Sequence, residues 1–285
     1  GPYFKLISES LEFKLTNAQK RVIKEIHQDL KQSISMNRLL QGDVGSGKTI
    51  VSILVSALAV GNNTQVAIMV PTEILATQHY HSFRTELVKA NIPCALLVGN
   101  MKKSERTSIL DGLKNGKIPV LIGTHALIQD DVDFKNLGLV IVDEQHRFGV
   151  NQRAKLVEKG NNPHFLAMTA TPIPRTLNMA LGSLRELSII ATPPQGRSAI
   201  QTFVNEWDDN TIKEACSREL HRGGQIFVLH NDIDSIDNMA ENLKTLMPNI
   251  HVRIAHGQIP TRELERIMSD FYHGRFQILV CTTII

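Results

Sequence analysis

Cysteine is scarce: Cys94, Cys216 and Cys281 are the only three in 285 residues, and no two of them form a CxxC pair. That excludes a disulfide scaffold, argues against a zinc site and fits reduced thiols used as small apolar residues. Aromatics make up 5% of the chain, with one Trp and three Tyr, so platforms for stacking on bases are few. The longest apolar run, residues 50–60, is interrupted by Ser52 and Ser56. It falls short of the ~18 residues a membrane span needs, so no membrane partner is expected. The N-terminus lacks the basic, apolar and small-residue order of a signal peptide, which points to the cytoplasm. Neither sign of charge dominates, because 31 Lys and Arg face 28 Asp and Glu. A net +3 identifies a nucleic-acid partner only if one face concentrates it. At 42% hydrophobic and 21% charged, the chain reads as a globular protein with length for roughly two domains.

Short runs of Val, Ile and Leu alternate with longer segments of helical period, the pattern of an α/β protein built on parallel sheets. Strands are expected near residues 38–41, 65–70, 95–98, 120–123, 139–142 and 165–168. The pattern loosens over residues 182–196 and ends in Thr192-Pro193-Pro194-Gln195-Gly196, where prolines block both helix and ladder. A domain boundary is therefore placed there: residues 1–196, with a linker from about 182, and residues 197–285. Beyond it, strands are expected near 200–204, 226–229, 252–255 and 278–281, with helices near 211–220, 235–246 and 261–272. A parallel strand that ends a βα series normally leads into another helix, so the second domain reads as partial.

Gly42-Asp43-Val44-Gly45-Ser46-Gly47-Lys48-Thr49 matches G-x-x-x-x-G-K-[ST] between an expected strand and an expected helix. Glycines let backbone N–H groups turn toward a polyphosphate, and the helix N-terminus adds partial positive charge. Lys48 suits the β/γ-phosphates and Thr49 suits Mg²⁺. Downstream, the apolar run Leu139-Val140-Ile141-Val142 ends in Asp143-Glu144. Asp143 has the placement to hold the Mg²⁺ shell, and Glu144 that of a general base acting on water. No Lys is followed two positions later by Asp, so the guanine-reading element of a GTPase is missing. Arg222-Gly223-Gly224-Gln225 precedes a strand rather than opening a helix, which separates it from a transporter signature. His79 and His81 are expected to be partly exposed polar residues rather than metal ligands.

The order of Gln19, the P-loop, Pro71-Thr72-Glu73, Gly123-Thr124-His125, Asp143-Glu144-Gln145-His146 and Thr169-Ala170-Thr171-Pro172 resembles the superfamily 2 helicase motor. More narrowly, the segments around the P-loop, Asp143-Glu144-Gln145-His146-Arg147-Phe148-Gly149-Val150 and Thr169-Ala170-Thr171-Pro172-Ile173-Pro174-Arg175-Thr176 are similar to those of the RecG and transcription-repair coupling factor (Mfd) group. Leu15-Thr16-Asn17-Ala18-Gln19 and Gln145 look more like RecG. Arg185-Glu186-Leu187-Ser188-Ile189-Ile190-Ala191-Thr192-Pro193-Pro194 and Arg262-Glu263-Leu264-Glu265-Arg266 look more like the coupling factor. A divergent member and a chain joining parts of both remain alternatives.

The resemblance implies two RecA-like lobes, ATP with Mg²⁺, and double-stranded or branched DNA as partner. It adds RNA polymerase if the chain is coupling-factor-like, and a bacterial, nucleoid-associated setting. Gln19 would read adenine, while Gln145, His146, Thr169 and Thr171 would couple the nucleotide to the DNA track. Thr72, Thr124 and His125 in the first lobe, and Asn231, His256, Gln258 and Thr283 in the second, would contact nucleic acid. The family's arginine motif that follows the segment Thr282-Thr283-Ile284-Ile285 is not in this sequence. An arginine at the transition state is worth ~10³ to 10⁵ in rate, so weak turnover is expected. The leading expectation is the motor core of an ATP-dependent DNA translocase in repair or recombination. A nucleotide-gated binding module without turnover is the alternative, and an RNA helicase the third.

Overall fold

The computed structural model describes residues 1–99, 101–171, 185–191 and 201–283, which divide into two compact units, Gly1–Ser198 and Ala199–Ile285. In the first unit seven parallel strands, β1 (Asn37–Gly42), β2 (Gln65–Met69), β3 (Cys94–Leu97), β4 (Val120–Gly123), β5 (Leu137–Asp143), β6 (His164–Thr169) and β7 (Glu186–Ile190), form one sheet. Their order is β3-β4-β2-β5-β6-β1-β7. Among the described residues six α-helices accompany them: α1 (Pro2–Glu9), α2 (Asn17–Asp29), α3 (Lys48–Val60), α4 (Glu73–Leu87), α5 (Lys103–Lys114) and α6 (Val150–Val157).

Burial explains the sequence of each central element. Every residue of β2 is buried, as expected of a parallel strand with both faces covered. Helix α3 is buried from Ile50 through Ala59, so its sequence is apolar on all sides and shows little helical stripe. The Ser52 and Ser56 hydroxyls inside it donate to the carbonyls of Thr49 and Ser52, at 2.7 Å each, which lets two polar residues sit in that core. Helix α2 starts at a capping box. Thr16 Oγ1 accepts from the Gln19 N–H at 3.2 Å, and Gln19 Oε1 accepts from the Thr16 N–H at 2.9 Å.

The smaller unit holds a three-stranded parallel sheet in the order β8-β10-β9, from β8 (Ile226–Leu229), β9 (Val252–Ala255) and β10 (Ile278–Cys281). Helices α7 (Asp209–His221), α8 (Ile236–Leu246) and α9 (Thr261–Tyr272) alternate with these strands. Asp208 caps α7 by accepting from the Thr211 N–H at 2.8 Å.

Two expectations need correcting. Residues 186–190, read as part of a loosening linker, form the edge strand β7, paired with β1 from Arg38↔Glu186 to Gly42↔Ile190. Its polar residues are anchored from within the unit: Arg38 Nη1 donates to Ser188 Oγ at 2.9 Å, and Arg21 Nη2 donates to the Ile189 carbonyl at 2.7 Å. Residues 201–204 form no strand, and Phe203 and Val204 are exposed. A β-prone segment needs a laddered neighbour, and no described strand pairs with this one. The Pro-rich residues 192–196 and the motif residues 172–176 lie outside the described residues.

Candidate nucleotide and nucleic-acid site

The expected nucleotide residues meet at the carboxyl edge of the larger sheet, where open α/β sheets bind ligands. β1 delivers the P-loop and β5 delivers Asp143 and Glu144. β6 lies between them and ends at Thr169, which pairs with Gln41. With strands ~4.8 Å apart, the ends of β1 and β5 stand about 10 Å from each other.

The loop's conformation depends on Gly47, which caps α3 at φ 90°. A Cβ there would stand 2.0 Å from Gln19 Nε2, so a side chain would strain the backbone angle and displace the Gln19 amide. Gln19 itself is buried, 2% exposed, and its Nε2 donates to the Ser46 carbonyl at 3.0 Å. One amide thus ties the start of α2 to the phosphate loop, leaving one amide hydrogen and one lone pair for a base. The Lys48 ammonium donates to the carbonyls of Gly42 and, at 3.0 Å, Asp43. Burial pushes its pKa down, and Asp143, Glu144 and Asp43 oppose that in this order, so the lysine senses both carboxylates of β5's end.

Asp143 is held on both oxygens. Oδ1 accepts from the Glu144 N–H at 2.9 Å, and His79 Nε2 lies 2.9 Å from Oδ2. Glu144 adopts φ 50°, a left-handed conformation uncommon for a residue with a Cβ, and its Oε2 lies 3.4 Å from His146 Nδ1. The Thr171 N–H donates to Thr169 Oγ1 at 3.1 Å. Gln145 Oε1 accepts from two arginines, Arg185 Nη1 at 2.7 Å and Arg153 Nη1 at 3.1 Å. Burial first, then the charge of Arg153, pushes Arg185 down to about 10, which leaves it charged at neutral pH.

The residues present suit a nucleotide with a divalent cation. Ser46 Oγ is buried without a partner among the described residues, inside a loop whose glycine angles admit a close anion. Beside Gly47 and Thr49 lies a cavity of about 600 Å³, also lined by Gln19, Glu86 and the half-exposed ring of Phe13. That volume is ordinary for a small-molecule site. Among the described residues no group of three or more His, Cys, Asp and Glu could hold a metal ion. Asp143 and Thr49 are the residues at this edge that could hold a Mg²⁺ ion together with phosphate.

The expected nucleic-acid residues are placed unevenly. Thr72 is exposed and caps α4, accepting from the Leu75 N–H at 3.3 Å. Thr124, expected at a phosphate, is instead 1% exposed, and of that pair only His125 reaches solvent. In the smaller unit, Asn231, His256, Gln258 and Thr283 follow the carboxyl ends of β8, β9 and β10 along one sheet edge. The Thr283 N–H donates to Asn231 Oδ1 at 3.0 Å, and the Gln258 N–H lies 3.3 Å from His256 Nδ1.

His79 is a further correction. It is buried, not partly exposed, and it sits against Asp143; His81, two residues on, is exposed as expected. Phe13 and Arg153 lie outside every motif singled out in the sequence, and Arg185 figured there only as the start of a coupling-factor-like segment, with no role at the site. A ring preceding a capping box is the one signal that could have found Phe13.

The DEAD/DEAH box helicase family matches residues 16–180, and the helicase conserved C-terminal domain matches residues 209–285. The chain belongs to the DEAD/DEAH box helicases. Among relatives of this helicase chain, the Escherichia coli (strain K12) transcription-repair-coupling factor is 48% identical over 282 residues, covering 99% of this chain and 25% of that protein. The ATP-dependent DNA helicase RecG of Thermotoga maritima is 47% identical over 287 residues, covering 97% of this chain and 37% of that protein. A solved structure of RecG bound to a three-way DNA junction aligns with a TM-score of 0.84 at 45% identity, covering 99% of this chain and 38% of that one. The chain thus spans a quarter to two-fifths of the length of these proteins. Solved structures of S. cerevisiae Dbp5 bound to RNA and of Mss116p bound to single-stranded RNA align at 18% identity with TM-scores of 0.66 and 0.67, a likeness of fold alone.

Proposed function

We propose that this helicase chain is the motor core of an ATP-dependent translocase on double-stranded or branched DNA, serving repair or recombination. The observation that carries the reading is that Lys48 and Thr49, after β1, face the same sheet edge as Asp143 and Glu144, at the end of β5 one strand away across β6. Lys48 exchanges its carbonyl partners for the β- and γ-phosphates, a stronger, charge-assisted contact. Phe13 and Gln19 take the adenine in the cavity beside the loop. Bound Mg²⁺, held by Thr49 and Asp143, would neutralise phosphate charge. Glu144, paired with His146, orients and deprotonates the attacking water.

Gln145, His146, Thr169 and Thr171 link this site to the DNA track, with Thr72 and His125 gripping one strand from the first unit. Asn231, His256, Gln258 and Thr283 do the same from the second. ATP binding and hydrolysis would alternate which unit grips the backbone. The similarity to coupling factors makes RNA polymerase the partner to test, and the bacterial relatives support a cytoplasmic setting near the nucleoid. No helix among the described residues is long and apolar enough to cross a membrane.

The test is Mg²⁺-dependent nucleotide binding and steady-state ATP hydrolysis, with duplex DNA, with RNA and with neither, against Lys48→Ala. Binding lost in the variant, and turnover raised by duplex DNA more than by RNA, is the expected result. A wild-type chain that binds no nucleotide overturns the proposal. Binding without turnover would reassign this chain as a nucleotide-gated grip on DNA.

A further inference from the structure

We propose that His79 is a positioning residue for Asp143, fixing the carboxylate's rotamer so that it is set before a divalent cation and nucleotide arrive. The inference rests on the nucleotide-site reading above and deepens it. Helix α4 begins at the Thr72 cap and brings His79 round to the end of β5, a contact between residues 64 apart in sequence. The imidazole is 7% exposed, and its ring packs against that of the fully buried Phe83, with centroids 6.3 Å apart. Its only hydrogen bond among the described residues is the 2.9 Å contact from Nε2 to Asp143 Oδ2.

The other ring nitrogen decides how that contact works. Nδ1 is buried and has no partner among the described residues. A buried N–H without an acceptor is costlier than a buried lone pair without a donor, so the proton belongs on Nε2, where Asp143 receives it. With the Glu144 N–H on Oδ1 and the His79 N–H on Oδ2, each carboxylate oxygen has one fixed donor and keeps a lone pair. Rotation of the carboxylate would break both bonds. That is how a group behind a metal-binding carboxylate acts: it touches neither cation nor phosphate, yet sets how the ligand is offered.

A histidine that only filled space would be replaceable by any side chain of like volume. A positioning histidine is replaceable only by one that returns an N–H to the same point. A Gln amide nitrogen reaches about as far as Nε2, whereas an Asn amide stops near Nδ1.

The experiment titrates Mg²⁺ into the whole chain at fixed fluorescent N-methylanthraniloyl-ADP, for wild type, His79→Gln, His79→Asn and His79→Leu, and repeats the ADP titration in EDTA. His79→Leu and His79→Asn should raise the half-saturating Mg²⁺ concentration by about tenfold or more, and His79→Gln by about threefold or less. Affinity for ADP in EDTA should be the same in all four. Equal Mg²⁺ requirements in all four overturn the inference, and so does an equal loss in Gln and Leu. If Leu unfolds the chain, the contrast between Gln and Asn decides the same question: a lower Mg²⁺ requirement in Gln supports positioning, and equal requirements overturn it. Nitrogen-15 imidazole shifts of the wild type supply a check that needs no variant, since an Nδ1–H tautomer overturns the inference. A wild type that binds ADP with Mg²⁺ while the variants match it sinks this inference alone; one that binds neither removes the nucleotide-site reading beneath it.

Discussion

Gly47 concentrates two constraints in one residue, and both can be measured. Its φ of 90° is a region where a Cβ costs about 1 to 2 kcal/mol. The Cβ would also displace the buried Gln19 amide, which bonds the Ser46 carbonyl and the Thr16 N–H. Losing a buried hydrogen bond adds about 1 to 3 kcal/mol, so Gly47→Ala should lower stability by about 2 to 5 kcal/mol. In a domain of this size that is a fall of roughly 4 to 20 °C in the first unit's Tm. Calorimetry of the variant checks it, and a Tm within about 2 °C of wild type would show that Gln19 moves aside freely. His79 stands at the opposite pole of legibility. The P-loop is written in eight consecutive residues, whereas nothing near residue 79 announces Asp143, whose position depends on how the whole sheet closes.

Among elements, β7 shows why some strands are hard to read. Glu186-Leu187-Ser188-Ile189-Ile190 lacks the unbroken apolar run that revealed β2 and β5, and its polar groups are satisfied only in the folded unit. The opposite failure is residues 201–204, whose Thr-Phe-Val composition suits a strand that the described residues do not pair. Propensity is local, but a ladder is not. Arg38 is the residue on which β7's attachment turns. Buried at β1, it bonds Asp29 Oδ2 at 2.6 Å from Nε and Ser188 Oγ at 2.9 Å from Nη1, with Glu25 Oε2 at 3.7 Å. Removing one side of such a pair leaves poorly solvated carboxylates behind, so Arg38→Ala should cost about 3 kcal/mol. The readout is the urea midpoint. A fall in midpoint with unchanged slope is expected, and an unshifted midpoint would mean that β7 holds by its ladder alone.

At the scale of the molecule, the two units keep separate interiors. Among the described residues, the hydrophobic clusters around α3 and β5 draw on residues 3–190, and those around α8 and β10 on residues 212–281. A fragment of residues 1–198 should therefore fold cooperatively and bind nucleotide with Mg²⁺, since every proposed phosphate and cation residue lies in it. Circular dichroism melting and nucleotide titration of that fragment test this; a broad, non-cooperative melt would refute it. The division into two α/β units was readable from the restart of alternating patterns after residue 196, but the strand order was not. That order sets a timetable during synthesis. β1, with its phosphate loop, leaves the ribosome well before its flanking strands, β6 and β7, which end at residues 169 and 190. At ~5 to 20 residues per second, the strand waits on the order of ten seconds with both edges bare. During that interval it is open to pairing with other nascent chains. Asp143 and its β6 spacer are likewise late, so under the proposed reading ATP would be gripped only by a nearly finished domain. Nucleotide can reward the completion of this fold and has no hold on its beginning.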